Sequence, residues 1–204
     1  LEDKKPDAVF IHNPYDQNNI LTSVHPDFYS SRLKKYADQL VYLPYYTTAS
    51  TDNVESVKCQ ERSAGFVTLS GPVNADCIVT ATEQERELFI NILCSWIKGV
   101  QAEQWEEKVQ NFGSPKIERA RDTKRQDGSL PEKWQECLYS PDGSRKKTVF
   151  YGLSIEALLN QPDMMKKIEE VLLYFKTRKD LALWLRPHPL YEQTLKVMRP
   201  QLLQ

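Results

Sequence analysis

The amino-acid sequence predicts an α/β fold class, built as two small units whose strands run parallel. Three observations carry this. Short apolar runs such as Ala8-Val9-Phe10-Ile11 and Leu181-Ala182-Leu183-Trp184-Leu185 have the length and composition of strands in a parallel sheet. Segments with apolar residues spaced by three and four follow them, as amphipathic helices do. The alternation of strand and helix then breaks off over a charged, turn-rich stretch and restarts beyond it.

Taken in order, Ala8-Val9-Phe10-Ile11 reads as a strand buried on both faces, closed by His12-Asn13-Pro14. Residues 28–40 place Tyr29, Leu33, Tyr36 and Leu40 on one helical face. Leu40-Val41-Tyr42-Leu43 makes a second strand that Pro44 ends, since proline cannot donate to a ladder. Residues 47–56 are polar and turn-like, and residues 57–69 fit a short helix or a strand. Cys77-Ile78-Val79 is the next strand. Thr82 and Glu85 form a capping box ahead of a helix carrying Leu88, Phe89, Ile92, Leu93 and Trp96. Residues 108–112 read as a strand that stops at Gly113-Ser114-Pro115. The first unit, residues 1–118, is thus expected to be a parallel, doubly wound sheet.

Residues 119–146 form the linker, with turn formers at Asp127-Gly128, Pro131 and Pro141-Asp142-Gly143-Ser144. In the second unit, residues 147–204, Thr148-Val149-Phe150-Tyr151 is a strand. Helices follow from Ser154 and over residues 163–176, then the strand of residues 181–185, then a helix with Leu195 and Met198 on one face. Both are read as Rossmann-like units. No repeat of short fixed period is present.

Composition excludes several functions. The 27 basic residues are balanced by 28 acidic ones, so no overall field draws nucleic acid or a membrane surface to the chain. No uninterrupted apolar run approaches the roughly 18 residues of a spanning helix. The four cysteines are scattered without C-x-x-C or a neighbouring histidine, which points to reduced, buried thiols and no metal site. The charged residues before the first strand do not resemble a signal peptide, and the cytoplasm is the expected location.

In open α/β sheets ligands sit beyond the carboxyl ends of the strands, which selects four places. His12-Asn13-Pro14-Tyr15-Asp16 can donate and accept hydrogen bonds, and it suits equally a loop whose Asn and Asp cap turns. His25 precedes a helix and reads either as a functional imidazole or as an ordinary loop residue. Tyr42-Leu43-Pro44-Tyr45-Tyr46 reads as core packing. Gly113-Ser114-Pro115-Lys116 permits close backbone approach at a helix N-terminus, where N–H donors suit an anion. Leu185-Arg186-Pro187-His188-Pro189 combines a guanidinium suited to phosphate, an imidazole and two rigid prolines. The competing reading is a strand exit with a surface Arg and a packed His. Neither a Walker motif nor G-x-G-x-x-G is present.

Several of these segments also resemble, in order, a known family. Gly113-Ser114-Pro115-Lys116-Ile117-Glu118 is similar to the G-x-P-R-x-D signature of the CDP-glycerol glycerophosphotransferases, the teichoic-acid-type polymerases. Residues 147–154 look like that family's K-x-I-L-Y-x-x-[TS] strand and turn, and residues 183–190 like its strand ending in R-P-H-P. Residues 6–44 resemble a bacterial branch with H-N-P-Y-D, T-S-V-H-P and V-Y-x-P-Y. Ala75-Asp76-Cys77-Ile78-Val79 resembles its A-D-x-I-V strand.

The resemblance implies a GT-B-like architecture of two Rossmann-like domains, acceptor on the first and CDP-linked donor mainly on the second. It implies metal-independent transfer of glycerol phosphate from CDP-glycerol, with no further cofactor, to a phosphate-containing polymer acceptor of the cell surface. Arg186, His188, Ser114 and Lys116 would contact donor phosphate, and Asn13, Tyr15 and Asp16 would lie on the acceptor side. Tyr42-Leu43-Pro44-Tyr45 stands where better-known members have W-H-G-T, so the general base falls to His12 or His25. Both units are expected to be incomplete and the chain to be an internal piece, inactive alone, of a protein working at the inner face of the membrane as a peripheral associate. Two alternatives stay open: a non-catalytic domain binding a nucleotide-linked or phosphorylated ligand, and a GT-B glycosyltransferase using a nucleotide sugar.

Overall fold

Every strand in the two sheets pairs parallel to its neighbour, as the continuous apolar runs require. The structure is a computed structural model and describes residues 3–19, 22–46, 57–123, 130–198 and 200. The chain divides into two compact units, Leu1–Lys124 and Arg125–Gln204. The polar stretch 47–56 and the Asp127-Gly128 turn lie outside the described residues.

The first unit runs β1 (Ala8–Ile11), a 3-10 turn (Pro26–Phe28), α1 (Ser30–Leu33), β2 (Gln39–Tyr42), α2 (Val57–Val67), α3 (Ser70–Asn74), β3 (Cys77–Thr80), α4 (Glu83–Trp96), α5 (Ala102–Lys108), β4 (Val109–Asn111) and α6 (Pro115–Asp122). The pairs Ile11↔Tyr42, Tyr42↔Ile78 and Ile78↔Val109 put these side chains on one face of the sheet. That face packs on Leu33, Val67, Leu88, Phe89, Ile92, Leu93 and Trp105. The four fully buried apolar residues of α4 each contribute on the order of 1.5–3 kcal/mol. Thr82 starts this helix by accepting the Glu85 N–H at 3.1 Å, while the Glu85 carboxylate takes the Ala81 N–H at 2.6 Å.

Several expectations change. The order β1-β2-β3-β4 contains no reversal, so these strands are wound in one direction and hold no switch point. β1 stands at the edge of the sheet, with Phe10 68% exposed, rather than buried on both faces. The helix expected over residues 28–40 shrinks to the single turn of α1. Pairing wins there, because Asp38 and Gln39 donate their N–H groups to Pro6 and Asp7 and draw the chain into β2. Of residues 57–69, Val57–Val67 form the helix α2. Lys108 closes a helix rather than opening a strand.

The second unit runs α7 (Glu132–Glu136), β5 (Lys147–Leu153), α8 (Ile155–Asn160), α9 (Met164–Thr177), β6 (Leu181–Pro187) and α10 (Tyr191–Met198). Its two strands pair over their whole length, Lys147↔Leu181 to Leu153↔Pro187. Leu153, Met164 and Ile168 form a small core against Tyr151, Ala157, Met165 and Tyr191. The expected linker carries α7 and a bridge between Tyr139 and Arg145. The cysteines are unpaired thiols, but none is fully buried and Cys137 is exposed. No helix among the described residues is long and apolar enough to cross a membrane.

Candidate functional site

In the first unit the parallel strands all end at one edge, which gathers the loops after β1, β2, β3 and β4. Asn13 makes the first loop rigid: its carbonyl accepts the Tyr15 N–H at 2.8 Å and its amide donates to the Thr22 oxygen at 2.6 Å. Asp16 is 3% exposed with φ at +45°, a left-handed conformation aspartate tolerates. Both carboxylate oxygens accept the Ser30 N–H, and one also takes its hydroxyl at 2.6 Å. Asp16 thus caps α1 from within the fold, and its carboxylate faces no solvent.

Tyr15 reaches the next loop, its hydroxyl 3.0 Å from that of Tyr45. Burial first, and then that hydrogen bond, push the Tyr15 phenol well above its ordinary range. His12 is exposed, and its ring edge meets Tyr45 at 6.5 Å. It makes no hydrogen bond or ion pair among the described residues. His25 is also exposed, and its Nδ1 accepts the Asp27 N–H at 3.3 Å to start the 3-10 turn.

After β4, Gly113 takes φ of +86° and donates its N–H to the Thr80 oxygen. Ser114 caps α6 by accepting the Ile117 N–H at 3.4 Å, and Lys116 donates to the Tyr45 oxygen at 3.3 Å. Between these loops lies a crevice of about 10 Å³, lined among others by Pro44, Tyr46, Ala81, Glu85, Gly113 and Ser114. It has room for one water molecule and for no larger group. The buried hydroxyls of Tyr42 and Tyr46 meet no hydrogen-bond partner among the described residues. They lie close enough to influence one another's ionisation, yet not in hydrogen-bonding geometry. Burial above all raises both phenols.

In the second unit Arg186 and Pro187 belong to β6 itself, opposite Gly152 and Leu153, rather than to the loop beyond it. The Arg186 side chain is exposed and makes no ion pair or hydrogen bond among the described residues. His188 is also exposed, but its backbone is fixed by donating to the Leu153 oxygen at 3.0 Å. Its Nδ1 accepts the Leu190 N–H at 3.2 Å, which leaves Nε2 outward at the start of α10. Ser154 caps α8 at the neighbouring strand end. The arrangement offers a guanidinium and an imidazole nitrogen, groups that can donate to an anion.

Thus His12, Asn13, Tyr15, Asp16, Ser114 and Lys116 share the carboxyl edge of one sheet, and Arg186 and His188 the carboxyl end of another. Sequence reasoning missed Tyr45, 47% exposed where core packing was expected, and Phe66, 40% exposed in α2. It also missed Gly71, whose N–H bonds the Pro14 oxygen at 3.0 Å. Among the described residues no group of three or more His, Cys, Asp or Glu side chains is placed to hold a metal ion.

Fold and edges together define an α/β protein of parallel sheets with polar and aromatic loops at the strand ends. Set against known protein families, curated proteins and solved structures, the chain gives no match.

Proposed function

We propose that this chain is part of a glycerophosphotransferase that moves glycerol phosphate from CDP-glycerol to a cell-surface polymer. The observation that carries the reading is Arg186, exposed and unpaired among the described residues, two positions from an imidazole whose backbone and Nδ1 are already fixed. A cation left without a carboxylate partner at a strand end suits donor phosphate. In the reaction a hydroxyl oxygen of the acceptor attacks the β-phosphorus, the bridging P–O bond breaks and CMP leaves. Arg186 and His188 neutralise charge on the donor, which supplies much of the rate in phosphoryl-type transfer. The first unit contributes the acceptor side, with His12 or His25 taking the proton.

Calorimetric titration of CDP-glycerol into the whole protein of which this chain is proposed to be part tests this. Binding that weakens at least about tenfold in Arg186→Ala supports the donor assignment. Absence of binding, or equal binding by the variant, overturns it.

A second reading, binding without turnover, is favoured by His12. A catalytic imidazole is ordinarily oriented by a carboxylate or carbonyl, and His12 has no such hydrogen bond among the described residues. CDP-glycerol binding with no CMP released in the presence of polymer, measured on the whole protein of which this chain is proposed to be part, would select it.

A further inference from the structure

We draw no further inference here: the strongest candidate, the open apolar face of the two-stranded sheet β5–β6 in the second unit, on which Phe150 stands 59% exposed, carries none because nothing in the structure shows what covers it.

Discussion

Lys116 donates to the main-chain oxygen of Tyr45 at 3.3 Å, so a residue 71 positions further along the chain ties the exit of β4 to that of β2. The contact is exposed and singly bonded, and such bonds contribute about 1 kcal/mol or less. Lys116→Ala should therefore shift the denaturant midpoint little. It should free the Tyr45 ring, visible as averaged aromatic resonances. A large loss of stability would show that Lys116 holds more of the fold than this one bond.

Asp16 is expected to matter to stability rather than to ligand contact. Removing its buried carboxylate leaves the Ser30 N–H and hydroxyl without their acceptor. Asp16→Ala should cost about 2–3 kcal/mol of unfolding free energy. Asp16→Asn, which keeps one acceptor oxygen and tolerates the left-handed backbone, should cost clearly less. Urea unfolding of both variants measures the difference. Equal losses would assign the effect to charge alone.

Gly71 has no room for a side chain, because a Cβ there would stand 2.8 Å from Pro14 Cα and 2.9 Å from the Asn13 oxygen. Both are backbone atoms and cannot swing aside. Gly71→Ala should lower stability by about 1–3 kcal/mol and displace the loop that carries His12 and Tyr15. Thermal unfolding reads the first effect, and amide shifts of residues 12–16 the second.

The alkaline dependence of stability should reveal Lys108. Its ammonium donates to the Val73 oxygen at 2.6 Å and lies 4.8 Å from the Trp105 ring centre. Burial, helped by the neighbouring Lys34, lowers its pKa to about 8, while Asp76 and Cys77 pull the other way. Between pH 8 and 10.5 the folded chain has released this proton and the unfolded chain still holds it. Stability therefore rises with pH across that window. The raised phenols of Tyr15, Tyr42 and Tyr46 act oppositely above their ordinary value of 10.0. Urea unfolding of the native chain minus Lys108→Met isolates the lysine. A flat difference between pH 8 and 10 would contradict the assignment.

What the sequence made legible follows from which forces are local. The β3–α4 unit was readable because its signals lie within a few residues of each other: an apolar run, Thr82, Glu85, then period-3.6 packing of Leu88 to Leu93. The helix expected over residues 28–40 was not, because its competitor is remote. Pro6 and Asp7 claim the N–H groups of Asp38 and Gln39, and no local pattern announces that pairing. The same holds at the candidate sites. The strand-end positions of His12, Ser114 and Arg186 follow from α/β geometry. The burial of Asp16 under Ser30 and the pairing of Tyr15 with Tyr45 arise from contacts between segments far apart in sequence.

The central claim, that Arg186 and His188 receive donor phosphate, is tested most directly by comparing CDP with cytidine in calorimetry. If the phosphates are what these residues hold, CDP binds at least about tenfold tighter than cytidine, and Arg186→Ala removes most of that difference while leaving cytidine unaffected. Equal affinities for the two, or a CDP preference untouched by Arg186→Ala, would contradict it.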